Sequence, residues 1–196
     1  MSKTADSTAS QKKPTWSDVK KSLADYDRPK LLGLIADLYA SNPANKIFLH
    51  ARFGSGEDAL KPYLKIIEDS LYPDVHKNKP IQIAKGKKAI TDYTRAVGDP
   101  KGILELMLSF VENGANFTAS YGDIDSGFYL ALERMYDNAL DLLLTMDDQT
   151  IAEYRERFED VVESTSGIGW GFHDMLGQLF NTAFPDETPT KNKAAR

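Results

Sequence analysis

The sequence predicts an all-α protein of about nine helices, arranged as one compact helical bundle or a short α-solenoid-like array. Three observations carry that expectation. Apolar residues recur at spacings of three and four along most of the chain, as in Leu60, Tyr63, Leu64, Ile67 and Leu71, which puts them on one face of a helix. Proline, glycine, asparagine and aspartate cluster between those stretches, where helices start and stop. No run of alternating β-branched residues bounded by turn signals marks a strand.

The composition fits a packed domain. The 196 residues are 41% hydrophobic and 10% aromatic, enough apolar surface for one core spanning residues 16–185, flanked by a disordered N-terminal tail over 1–15 and a disordered C-terminal tail over 186–196. Cysteine is absent, which excludes disulfides, thiolate metal sites and a cysteine nucleophile. No apolar run is long enough for a membrane span and the polar N-terminus lacks a signal-like stretch, so the expected protein is soluble and cytoplasmic. Charge is divided unevenly. Residues 1–98 hold 17 Lys+Arg against 11 Asp+Glu, and residues 99–196 hold 7 against 18. The acidic second half argues against a nucleic-acid partner there.

Taken in order, the helices justify themselves as follows. Ser17 and Asp18 open a short first helix with Val19, Leu23 and Tyr26 on its apolar side. Asp27-Arg28-Pro29 restarts the chain, and Leu31, Leu32, Leu34, Ile35, Leu38 and Tyr39 form a wide apolar stripe. Ser41-Asn42-Pro43 breaks it, a third helix carries Ile47, Phe48, Ala51 and Phe53, and Gly54-Ser55-Gly56 closes that one. The fourth begins at Glu57, with Pro62 near its start, and ends at Tyr72-Pro73-Asp74. His76 to Lys88 is the most basic stretch, and a helix with Ile83, Ile90, Tyr93 and Val97 on its buried side runs through it. Gly98-Asp99-Pro100 combines a glycine stop, an aspartate cap and a first-turn proline, so the flanking helices should form a hairpin. The next helix, from Ile103 through Val111, has almost no polar face and should be the most buried, fading near Asn113-Gly114 and Phe117.

Phe128, Leu132, Met135, Ala139 and Leu142 give the seventh helix a seam, and Ile151, Tyr154, Phe158, Val161 and Val162 give the eighth its buried face. The opposite face of the eighth carries Glu153, Glu156, Glu159, Asp160 and Glu163, partly neutralised by Arg155 and Arg157. Phe172, Met175, Leu176, Leu179, Phe180 and Ala183 form the last helix, stopped by Phe184-Pro185.

Motif tests narrow the chemistry. A calcium loop starting at Asp123 would need glycine at its sixth position and glutamate at its twelfth, where Phe128 and Arg134 stand, so Asp125 or Ser126 reads as a helix cap instead. The least generic stretch is Ser164 to Asp174. Gly167, Gly169 and Gly171 could bring backbone amides close to a phosphate at a helix start, but no Gly-Lys-Ser/Thr follows and the dinucleotide glycine order is not met. His173 and Asp174 suggest acid–base chemistry. Adjacent helical residues point about 100° apart, however, so Asp174 is poorly placed to orient His173. Trp170 is the natural anchor: exposed, it would fill a partner's pocket; buried, it would pin the loop.

The motif Ile168-Gly169-Trp170-Gly171-Phe172-His173-Asp174, ahead of an amphipathic closing helix, resembles one in a group of bacterial all-helical proteins with no assigned activity. The resemblance covers most of residues 16–184 and implies a bacterial cytoplasmic origin. It carries over no catalytic residue and no cofactor.

The expectation is therefore a protein-interaction or self-association module rather than an enzyme, contacting its partner through the acidic Glu153 to Glu163 face and the Trp170 loop. Neither a cofactor nor a metal is expected. The alternative is a small-ligand binder or enzyme with its site at Gly167, Gly169, Trp170, Gly171, His173 and Asp174. A further alternative is binding of an acidic polymer through Lys77 to Lys88.

Overall fold

The computed structural model describes residues 13–54 and 57–185; of the tails expected over 1–15 and 186–196, residues 1–12 and 186–196 lie outside the described residues. Among the described residues the chain is all-helical: α1 (Trp16–Leu23), α2 (Arg28–Ser41), α3 (Pro43–Phe53), α4 (Glu57–Leu71), α5 (Ile83–Ala96), α6 (Pro100–Tyr121), α7 (Ser126–Leu143), α8 (Asp148–Ser164) and α9 (Phe172–Ala183), with one 3₁₀ turn at Val75–Lys77. No described helix is long and apolar enough to cross a membrane. The chain divides into two units, Met1–Lys46 and Ile47–Arg196, the boundary falling inside α3.

Side-chain caps fix most starts. Asp27, Asp99, Asp125 and Asp147 each accept a backbone N–H three residues on, at 2.8–2.9 Å, satisfying donors that a helix leaves orphaned. The first start falls two residues earlier than Ser17 suggests. Thr15 caps α1, and the Asp18 carboxylate reaches back to the Thr15 N–H at 2.8 Å, a reciprocal capping box.

In the first unit, α1 and α2 bury none of their residues. Trp16, Leu32 and Leu38 are at least half exposed. The apolar stripe that the sequence places on α2 is therefore a surface feature.

The second unit holds the core. The helix α6 packs against α4, α5, α7 and α8, while α9 packs against α7 and α8. As the sequence predicts, α6 is the most deeply buried: Leu104, Leu106, Leu108, Phe110 and Val111 are fully covered. It does not stop at Gly114. An added Cβ there would lie 2.5 Å from a Leu132 methyl, so the glycine lets α7 approach α6 closely. The expected hairpin between α5 and α6 is present, turned by Gly98 at φ +75°. Two expected core positions are outside it, Phe53 at 84% and Val97 at 39% exposure. Pro62 lies in the second turn of α4, where it removes one ladder donor.

Candidate functional site

The loop between α8 and α9 is built on Thr165 and His173. The Thr165 side chain is fully buried, and its hydroxyl donates to the Val162 carbonyl at 2.7 Å. The His173 Nδ1 lies 3.0 Å from the same carbonyl and 3.2 Å from Thr165 Oγ1. A carbonyl only accepts, so Nδ1 carries the proton in the bond to Val162. His173 thereby fastens the first turn of α9 to the last turn of α8. Asp174 is exposed in that first turn and makes no contact that would orient the imidazole.

The three glycines do different jobs. Gly167 and Gly171 have φ +85° and +73°, conformations that glycine adopts without a Cβ clash. At Gly169 the constraint is space: a Cβ would come 3.0 Å from the Asp123 carboxylate. Asp123 is itself held by the Tyr129 hydroxyl at 2.8 Å, and the Tyr129 ring packs on Phe172 with centroids 5.1 Å apart. The aspartates of the 121–127 loop are thus a cap (Asp125) and a brace (Asp123). Among the described residues no group of three or more His, Asp or Glu is arranged to hold a metal ion.

Trp170 sits at the tip of this braced loop. It is 64% exposed and has φ +63°. A bulky residue in the left-handed region is an outlier that its surroundings must enforce, and such residues cluster at functional positions. Here the neighbours are anchored while the indole itself projects to solvent. The glycines on either side gave the sequence no means of showing that the tryptophan shares their backbone conformation.

The α8 face that leads into the loop is more acidic than the sequence suggests. Arg157 does not neutralise it: its guanidinium makes a bidentate pair with Glu105 of α6, at 2.7 and 3.1 Å, and also binds Glu112 at 3.0 Å. Arg155 lies over the Phe184 ring at 5.1 Å. Glu153 is paired with Lys101 at 2.8 Å. Glu156, Glu159, Asp160 and Glu163 are exposed and in no ion pair among the described residues.

The charges around Arg157 settle unequally. Burial raises the Glu105 carboxyl, but Arg157 and the Tyr154 hydroxyl at 2.9 Å outweigh it and hold the group below the usual carboxylate range. At Glu112 burial wins, aided by repulsion from Glu105 and Asp160, and the carboxyl lies above that range despite Arg157.

A cavity of about 580 Å³ opens between α4, α5, α6 and α8, with Leu60, Leu64, Tyr93 and Val97 among its apolar walls. Its carboxylates are already engaged: Asp99 caps α6, Glu105 binds Arg157 and Tyr154, and Glu153 binds Lys101. In the basic stretch, Lys77 pairs with Asp74 and Lys88 with Asp92, while Lys79, Lys85 and Lys87 are exposed. The stretch is split between the 3₁₀ turn, a loop and α5. Comparison with protein-family models, curated proteins and solved structures finds no match.

Proposed function

We propose that the protein is an interaction module that docks a protein partner at the loop of Gly167, Gly169, Trp170, Gly171, His173 and Asp174. One observation carries the reading: Trp170 is displayed at 64% exposure on a backbone at φ +63°, an arrangement that strains the backbone while leaving most of the indole in solvent. Within it, the residues have separate roles. Trp170 is the anchor, Gly167 and Gly171 shape the turn, and His173 fixes the loop to α8 through Val162. The acidic residues Glu156, Glu159, Asp160 and Glu163 run up to the loop, which favours a partner with a basic rim around an apolar pocket. The absence of cysteine suits a reducing compartment, and the cytoplasm is part of the proposal.

The test is capture with immobilised protein. Wild type should retain a partner that Trp170→Ala loses at least ~30-fold, and added salt should weaken retention because the acidic rim is exposed. Equal capture by wild type and Trp170→Ala would refute the reading.

A further inference from the structure

We infer that the cavity between α4, α5, α6 and α8 is a binding site for a small primary amine with an apolar body. The inference is independent of the Trp170 reading, since no residue of that loop lines the cavity.

One wall presents a hydroxyl without a protein partner. Tyr93 is 3% exposed, and its ring meets that of Tyr63 edge to face with centroids 5.4 Å apart. Its hydroxyl makes no hydrogen bond with any described residue. Unlike the Tyr63 hydroxyl it is not sealed into the core, so it opens into the cavity that Tyr93 lines. A buried tyrosine hydroxyl ordinarily finds a partner, because an unpaired one gives up its hydration without return. Phenylalanine would fill the same space with no such loss. The neighbouring helix also makes room for the hydroxyl: a Cβ at Gly102 would run into it and lie 2.7 Å from the Tyr93 Cζ. Glycine in the first turn of α6 costs helix propensity, and what it secures is the placement of this one polar group.

Charge selects the ligand. Asp99 Oδ2 accepts the Gly102 N–H at 2.8 Å, so the carboxylate and the Tyr93 hydroxyl converge on the same residue. The other Asp99 oxygen, Oδ1, accepts no bond from the described residues. Among the lining charges, Glu105 is paired with Arg157, Glu153 with Lys101, and Lys61 with Asp58. Asp99 is in no ion pair among the described residues. What remains is a carboxylate oxygen that can only accept and a hydroxyl that can accept beside it. That pair takes a cation with more than one N–H donor and disfavours an anion. An ammonium bonded to Asp99 Oδ1 can give a second hydrogen bond to the Tyr93 oxygen, while Leu60, Leu64 and Val97 receive the apolar body. At about 580 Å³ the cavity falls within the roughly 300–1,000 Å³ of small-molecule sites.

Amide-resolved NMR titration of the full chain tests this with hexylamine, phenethylamine and tryptamine, each against the alcohol and the carboxylate of the same skeleton. At least one amine should shift the Gly102 amide saturably, with a dissociation constant of ~1 mM or tighter. Its alcohol should bind at least ~10-fold more weakly, and its carboxylate not at all. Tyr93→Phe should weaken that amine ~10-fold without lowering Tm. Asp99→Asn keeps the helix cap but not the charge, and should weaken it at least ~30-fold. Asp137→Asn, exposed on α7 and outside the cavity, should leave binding unchanged. No saturable shift with any of the three amines, or a carboxylate that binds as tightly as its amine, would overturn the inference. So would amine binding that survives both Tyr93→Phe and Asp99→Asn, or a lower Tm in Tyr93→Phe, which would mean that the hydroxyl is satisfied within the fold.

Discussion

The conformation of Trp170 makes a sign prediction that contacts alone do not. Two variants, Trp170→Ala and Trp170→Gly, remove the same indole and differ only by a Cβ. Trp170 is 64% exposed, so the covered remainder is on the order of 90 Å² and contributes about 2 kcal/mol that both variants lose. At φ +63° alanine then bears roughly 1–2 kcal/mol of left-handed strain that glycine avoids. Glycine gives back about 0.4–1 kcal/mol through the greater entropy of its unfolded chain. The glycine variant should therefore be the more stable, by about 0.8 kcal/mol at the middle of these ranges and at most about 1.6 kcal/mol, the mid-range value being some 2–3 °C in Tm for a chain of this size. Urea denaturation of the pair, alongside Gln178→Ala and Gln178→Gly at an exposed interior position of α9 as a control of opposite sign, measures it. An alanine variant equal to or more stable than the glycine variant would refute the left-handed tip and, with it, the case that the loop is strained to display an aromatic.

Two further outcomes follow from the core. The Tyr63 hydroxyl is buried without a hydrogen-bond partner, so Tyr63→Phe should stabilise the protein by about 1 kcal/mol in chemical denaturation, where a loss of that size would mean the hydroxyl is satisfied. Arg157→Leu leaves two part-buried carboxylates unpaired; with Glu105 and Glu112 side chains still 23% and 29% exposed, the loss at neutral pH should be about 2 kcal/mol rather than the full buried-pair value, and one below about 0.5 kcal/mol would place the cluster among surface pairs. The two acids should also respond oppositely to pH. Glu105, with its folded pKa lowered, contributes stability present above the unfolded carboxylate value near 4.3 and lost as pH falls through the folded one, so Glu105→Gln should cost more at neutral pH than in acid. Glu112, with its folded pKa raised, contributes below the unfolded value and loses that contribution as pH rises through the folded one, so Glu112→Gln should be tolerated best at neutral pH.

Much of the fold is legible in the sequence because helix starts and stops are local chemistry. Asp27, Asp99, Asp125 and Asp147 cap where their position before an apolar run says they should. Ambiguity enters where two residues offer the same chemistry: Thr15 and Ser17 can each cap, and only Thr15 has Asp18 at the right offset for the reciprocal bond. Gly114 reads as a stop because a helix-interior glycine and a C-terminal one look alike until a neighbour such as Leu132 is placed against it. The candidate site is legible as a location and little more. Spacing identifies the α2 stripe but cannot say whether anything covers it. The partners of Arg157 lie 45 and 52 residues away, beyond any local pattern, which is why the acidic face seemed better neutralised than it is.

The central claim, that Trp170 is the anchor of a protein contact, is tested most directly by watching that one side chain. The chain has two tryptophans, so Trp16→Phe grown with 5-fluorotryptophan gives a single fluorine resonance from Trp170, silent to any tryptophan of the partner. Titration with the partner captured by wild type should shift that resonance and protect it from solvent as the complex saturates. A complex that forms fully while the Trp170 resonance stays at its free, solvent-exposed position would contradict the account.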